Sequence, residues 1–222
     1  MTLETISLIS ILMTDMKLLP RRGRPPKVPR DNLDTRDALI RCGTEILTEQ
    51  GFMATGIDGV LKKVGVPKGS FYHFFASKED FGRAVMDNYA AYFDKKLKRW
   101  FLDESLTPLQ RVLAFVEDAK AGMEKYHFKR GCLVGNLGQE VTILPDGFRE
   151  HLDSTLLSWQ QRLADCLALA QDSGELAKNA DCTELAAYFW IGWEGAVLRA
   201  RLVRSTAPLS TFISGFMAGL PR

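Results

Sequence analysis

Histidine is scarce in this chain: His73, His127 and His151 are the whole complement among 222 residues. No two of them form an HExxH pair, so a helical zinc-protease centre is excluded. Cysteine is nearly as sparse. Cys42, Cys132, Cys166 and Cys182 are widely separated, with no CxxC pair and no neighbouring histidine cluster, which excludes both a disulfide framework and a cysteine-rich metal site. A metal-free protein of a reducing compartment, the cytoplasm, is the expectation. Long apolar runs are missing too, since nothing approaches the ~18 to 20 residues that a membrane span needs. The opening MTLETISLISILM is short, carries Glu4, and lacks the basic leader and small-residue cleavage site of a secretory signal. There is no G-x-S-x-G elbow, Walker loop or dinucleotide fingerprint, so neither catalytic residues nor a cofactor are expected. Finally, no window alternates polar and apolar residues between hairpin turns. The chain reads as all-α.

What the sequence does contain is unevenly distributed. The net charge is +2, yet residues 1–30 hold Lys17, Arg21, Arg22, Arg24, Lys27 and Arg30 against only Glu4 and Asp15, a balance of +4 that leaves −2 for the rest. The segment LLPRRGRPPKVPRDN, residues 18–32, has four prolines and no helical period, and reads as a disordered basic arm suited to a polyanion. Beyond it, helices are marked by apolar periodicity. A first runs from Thr35 to Gln50 and stops at Gly51. A second carries Ile57, Val60, Leu61 and Val64 and stops at Gly65. Pro67 opens a third short one. Ser77 to Asp80 form an S-x-x-D start for a long helix through Phe81, Val85, Tyr89, Phe93 and Leu97. Further helices carry Leu109 to Tyr126, Phe148 to Leu163, and residues 184–203, the last apolar nearly all round in its first half. That excess calls for burial against the body and a second surface. Gly192, Gly195 and Ala196 fit either a dimer seam or tight packing within the chain.

Two short helices joined by VGVP have the spacing of a helix-turn-helix, whose second helix enters the DNA major groove. In VGVPKGSFYHFFASKED, residues 64–80, the rings of Phe71, Phe74 and Phe75 are core, leaving Lys68, Ser70, Tyr72 and His73 to face outward. Gly69 lets the backbone approach a phosphate or base edge. Lys78 lies in the first turn of a helix, where a cation is unfavourable until a phosphate arrives.

The segment from Thr35 to Phe81, with GF at 51–52, Thr55, VGVPKGSFYHFF and SKEDF, resembles the DNA-binding domain of the TetR family of bacterial one-component repressors. The resemblance implies an all-α protein with an arm at 1–32, a helix-turn-helix domain at 33–80, and an effector-binding and dimerisation domain at 81–222. It further implies a homodimer on a pseudo-palindromic double-stranded operator, released by a small effector. By that likeness Thr55, Tyr72, His73 and Lys78 meet phosphates, while Lys68, Gly69 and Ser70 lie nearest the bases. The RRGRPPK arm, with Arg22 and Arg24 beside Gly23, resembles the core of an AT-hook and would follow a narrow minor groove.

A second stretch, YHFKRGCLVGNLGQEV at 126–141, places Leu133, Leu137 and Val141 at intervals of four, so a helix should start near Gly131 with Cys132 in its first turn. A helix N-terminus beside Lys129, Arg130 and His127 would favour thiolate; the alternative is a small apolar residue in a helix contact. GCLVGNLGQE and WIGWEGAVLRARL, the latter at 190–202, resemble a TetR subgroup responsive to electrophiles and acrylate-type compounds. That implies Cys132 as the sensing residue. Arg201 stands where the resemblance implies a lysine, which argues against a cysteine–lysine crosslink, and leaves an acrylate-like carboxylate or thioester with Arg130, Arg199 or Arg201 as charge partner. Trp159, Trp190 and Trp193 are pocket candidates, and Glu194, in an apolar run, needs a partner. The competing class is a cysteine-dependent helical enzyme acting on an activated alkene or thioester, with His127 as base.

Overall fold

The computed structural model describes residues 32–222; the basic arm with Arg22 and Arg24 lies outside the described residues. Among these there are nine helices: α1 (Asn32–Gln50), α2 (Ile57–Val64), α3 (Lys68–Phe74), α4 (Lys78–Phe101), α5 (Pro108–Lys125), α6 (Leu133–Gly138), α7 (Phe148–Asp172), α8 (Cys182–Val203) and α9 (Ala207–Gly219).

The first three helices close over a small core of Leu39, Leu47, Val60, Leu61, Phe71 and Phe75, to which α4 adds Phe81. Phe71, Phe75 and Phe81 meet pairwise with ring centroids 5.1–5.3 Å apart, so the short α3, too short to be stable alone, is held by aromatic burial rather than propensity. Gly65 ends α2 at φ +75°, its N–H returning to the Leu61 carbonyl at 2.8 Å. Any residue with a Cβ would be strained there, which is why the turn into α3 is this tight.

Ser77 caps α4 by accepting from the Asp80 N–H at 3.1 Å, as S-x-x-D predicts. The Asp80 carboxylate reaches one residue further back than the usual reciprocal bond, accepting from Ala76 N–H at 2.9 Å. α4 then runs from the small core into the large one. There Phe93, Trp159 and Trp190 stack in sequence, with centroids 4.3 and 5.2 Å apart. Around them pack Phe115, Phe189 and Trp193.

Three features depart from the periodicity. The helix after Gly131 is only α6, so Val141 lies in the following turn and is exposed, and Cys132 is the N-cap rather than part of the first turn. The glycines at 135 and 138 and the absence of caps beyond Gln139 leave nothing to extend it. A last helix, α9, buries Leu209, Ile213 and Phe216. Gly192 faces Phe212 of α9 within the chain: a Cβ there would lie 2.3 Å from that ring. Gly195, by contrast, is exposed with open space beside it.

Candidate functional site

On α3, Lys68, Gly69, Tyr72 and His73 are exposed and Ser70 is half-buried, because Phe71 and Phe75 claim the opposite face. Lys68 reaches Asp58 of α2 at 3.5 Å, a loose and solvated pair that a stronger anion would displace. Lys78 lies over the Phe52 ring, 4.5 Å from its centroid, and donates to the Met53 carbonyl at 3.4 Å. Thr55 differs from expectation. It is buried, and its hydroxyl donates to the Gly51 carbonyl at 2.6 Å, so here it shapes the turn after α1 rather than facing a phosphate.

The reading helices are tied to the body at the end of α1. Glu140 accepts from the Phe52 and Met53 N–H groups at 2.9 and 3.1 Å. Asn136 of α6 donates to the Thr48 carbonyl and accepts from Arg201 of α8 at 2.8 Å. Arg201 also reaches the Glu49 and Lys129 carbonyls. Arg130 is paired with Glu49 at 3.0 Å and Glu45 at 3.4 Å, and its guanidinium stacks 4.1 Å from the Tyr126 ring centroid. Residues some 80 to 150 positions apart thus converge on one helix end.

Above this junction lies a cavity of about 660 Å³. α1 supplies Arg41, Thr44, Glu45 and Thr48; α4 supplies Asn88, Tyr89, Tyr92 and Phe93; α5 supplies Phe115, Ala119 and Met123; Cys132, Trp193 and Val197 complete the wall. The cavity is therefore not confined to residues 81–222, as the expected division of the chain would have it. Arg41 and Lys95, both exposed and lining it, have no ion-pair partner among the described residues. Lys96 is already held by Asp118 at 2.8 Å.

Cys132 lines this cavity but is buried. Its thiol accepts from the Gly135 N–H at 3.5 Å and lies near enough to Tyr89 and Glu194 for both to bear on its ionisation. The expected thiolate is overturned: burial, and then the nearby Glu194 charge, push the Cys132 thiol well above the ordinary range. Of the basic residues invoked to favour it, Arg130 lines the cavity but is paired with Glu45 and Glu49, and His127 and Lys129 line a different, smaller cavity with Arg201. Burial also pushes Glu194 up, to about 7, and Tyr89 well above the phenol range. Glu194 Oε1 is enclosed without a hydrogen-bond partner among the described residues. Its other oxygen lies so close over Gly135 that a Cβ there would be 2.0 Å away.

Of the residues expected to meet an effector, Cys132, Arg130 and Trp193 line the cavity and Glu194 stands directly behind Cys132. Trp159 and Trp190 are in the aromatic core that backs it, and Arg201 is at the junction below. Sequence reasoning missed Arg41, Lys95 and Asn136. Arg41 and Lys95 looked like ordinary exposed helix charges, and only the fold shows that they flank one opening. Among the described residues no helix is long and apolar enough to cross a membrane, and no group of three or more acidic, histidine or cysteine side chains could hold a metal.

Comparison with known proteins agrees with this architecture. Residues 39–85 match the family described as bacterial regulatory proteins, tetR family, and residues 108–216 match the tetracyclin repressor-like C-terminal domain. The chain is 50% identical to the transcriptional regulator AcuR of Cereibacter sphaeroides over 89% of this chain and 90% of that protein. The crystal structure of regulatory protein TetR from Rhodobacter sphaeroides superposes with a TM-score of 0.82 at 48% identity, covering 84% of this chain and 98% of that one. The reduced form of NemR from Escherichia coli superposes with a TM-score of 0.74 at 28% identity, covering 82% and 95%. With the helix-turn-helix, the linked helical body and these matches in place, the chain belongs to the TetR family of DNA-binding transcriptional regulators.

Proposed function

We propose that this regulator works as a homodimeric repressor whose paired α3 helices enter successive major grooves of a pseudo-palindromic operator, and that an acrylate-like or electrophilic effector bound beside Cys132 releases it. Lys68, Gly69 and Ser70 approach the bases, and Tyr72, His73 and Lys78 the backbone, with Arg22 and Arg24 of the arm in the minor groove. Thr55 contributes by holding the turn that positions Lys78. The exposed apolar stripe of α8, with Tyr188, Ile191, Leu198 and Leu202, supplies the dimer seam, as an unpartnered apolar face of that size requires.

One observation carries the regulatory half of this reading. α1 is at once a wall of the cavity and the helix whose end is tied to α6 and α8. A ligand that favours a different position of α1 or α6 favours a spacing of the two α3 helices that no longer fits grooves ~34 to 36 Å apart. The cavity is far larger than a bare three-carbon acid requires, and Arg41 and Lys95 at its mouth suit an anionic head. An unsaturated acyl thioester with an anionic carrier therefore fits it better than free acrylate. The repressor relatives support regulation of transcription rather than catalysis.

The test is footprinting on DNA upstream of the protein's own gene, repeated with acrylate, acrylyl thioesters and quinones, on wild type and Cys132→Ser. Release of wild type by a thioester or electrophile, reduced in Cys132→Ser, is the expected result. No protected site, or no release by any of the three, overturns the reading.

A further inference from the structure

We propose that Glu194 is the base that accepts the Cys132 proton when an α,β-unsaturated carbonyl compound adds to that thiol, so that the cavity senses such compounds without a pre-formed thiolate. The inference rests on the cavity's being the effector site.

The geometry places the three groups in order. Cys132 forms part of the cavity wall, and Glu194 of α8 stands behind it, away from the cavity. One carboxylate oxygen of Glu194 is enclosed with no partner among the described residues, an arrangement that costs stability and marks a group with work to do. Two cations near Cys132 are engaged elsewhere. Arg130 is spent on Glu45 and Glu49, and Arg201 on Asn136 and backbone carbonyls. From the surrounding elements, the titratable groups that bear on this pair are Tyr89 of α4, Cys132 itself and Glu194 of α8. The same cavity is also lined by the apolar Phe115, Met123, Trp193 and Val197 and by the charged Arg41, Glu45, Lys95, Lys96 and Arg130.

The step balances with these groups and solvent water. The S–H bond breaks and its proton passes to the Glu194 carboxylate. The sulfur electron pair forms a bond to the β-carbon of the alkene, whose π pair moves towards the carbonyl as an enolate. The Tyr89 hydroxyl, which lines the same cavity and stays protonated because burial raises its pKa, donates to the enolate oxygen. Solvent water entering the open cavity then protonates the α-carbon, and the hydroxide so formed is neutralised by the proton that Glu194 gives back, leaving a thioether and an ionised carboxylate. No oxidant or reductant is consumed. A carboxyl pushed up to about 7 is half ionised near neutrality and far better matched to a thiol than an ordinary carboxylate. The sequence signal for this role is the isolated acid in WIGWEGAV; its partner could not be named before α6 and α8 were placed side by side.

The test uses the full chain and acrylamide as the probe, with adduct formation at Cys132 followed by mass spectrometry across pH, and folding of each variant checked by circular dichroism. In wild type the rate rises as Glu194 ionises and flattens above a midpoint of about 7. Glu194→Gln should lose that midpoint and react at least about tenfold more slowly at about pH 7.5, its rate climbing steadily with pH as free thiolate takes over. Glu194→Asp, which keeps the carboxylate at shorter reach, should be intermediate and retain a midpoint. A Gln variant with wild-type rate and profile overturns the proposal, as does a wild type that forms no Cys132 adduct; if the Gln variant fails to fold, an Asp variant indistinguishable from wild type does so. Operator release is measured in parallel. A base-dependent adduct with no release sinks the effector reading while the Glu194 role stands, and release by an acrylyl thioester without any adduct does the reverse.

Discussion

Arg201 donates to the Asn136 side chain at 2.8 Å, and Asn136 passes the connection on to the Thr48 carbonyl near the end of α1. A residue of the penultimate helix is thereby joined through α6 to the helix that carries the DNA-reading unit. Asn136→Ala would leave the guanidinium short of one acceptor and the carbonyl short of its donor, at a cost of about 1–3 kcal/mol. A urea denaturation series should show the midpoint fall accordingly. The same variant should show a smaller change in operator affinity between effector-free and effector-saturated protein.

Glu140 offers a more local readout. Its carboxylate covers the Phe52 and Met53 N–H groups, so Glu140→Ala should speed hydrogen exchange at those two amides by at least about tenfold, equivalent to roughly 1.4 kcal/mol. Amides inside α4, such as that of Leu97, should not change. Equal protection in the variant would show that the bond does not hold the turn.

The residues proposed to read DNA separate by chemistry. Lys78→Ala should weaken binding about equally for all sequences and lower the slope of log affinity against log salt by about 1. Deleting residues 1–30 should flatten the slope further. Ser70→Ala or Lys68→Ala should instead relax preference at particular base pairs, by about 1–3 kcal/mol. Titrations of matched and mismatched duplexes at several salt concentrations distinguish the two patterns.

Glu194 makes stability depend on pH in the direction opposite to most carboxylates. Its native pKa, pushed up to about 7 by burial, lies above the ordinary carboxyl value of 4.5, so the native state binds the proton more tightly than the unfolded one. The resulting stabilisation is fully present below pH 4.5 and is lost as pH rises through about 7. At about 1.4 kcal/mol per unit, the loss amounts to at most about 3 kcal/mol. Glu194→Gln lacks it and should gain in relative stability between those limits, as thermal or urea unfolding at a series of pH values would reveal.

On α8, Ile191 and Leu198 are 74% and 47% exposed in the single chain. Replacing either with Glu should leave the helical signal intact and shift the protein from dimer to monomer in light scattering, with operator binding weakened because one half-site alone must hold it. An unchanged dimer would move the seam elsewhere.

The reading unit was largely legible in the sequence because its signals are local. Gly65, Pro67 and the Ser77 cap mark chain-neighbour geometry, and Phe71, Phe74 and Phe75 reveal their face by spacing alone. The cavity was legible only in part. Cys132 and Trp193 stood out, but the protonation state of Cys132 depends on Glu194, 62 positions away, and on enclosure by α4 and α8. Local basic residues pointed the other way, and in the fold they are occupied elsewhere. Thr55 misled for a similar reason, since nothing in its neighbours announces that its hydroxyl turns back onto Gly51. The helix at 207–219 went unread although Leu209, Phe212, Ile213, Phe216 and Met217 repeat at helical spacing; Gly215, Gly219 and the intervening Ser210, Thr211 and Ser214 weaken its helix signal.

Because Arg41, Thr44 and Thr48 belong to α1 of the helix-turn-helix unit yet line the proposed effector cavity, the two proposed functions share one helix. A chimera that borrows helices α1 to α3 from another regulator would acquire a new operator preference and, unasked, a different chemical sense as well. Retuning either property by directed evolution should meet the other as a constraint, with α1 the helix on which selections for the two collide.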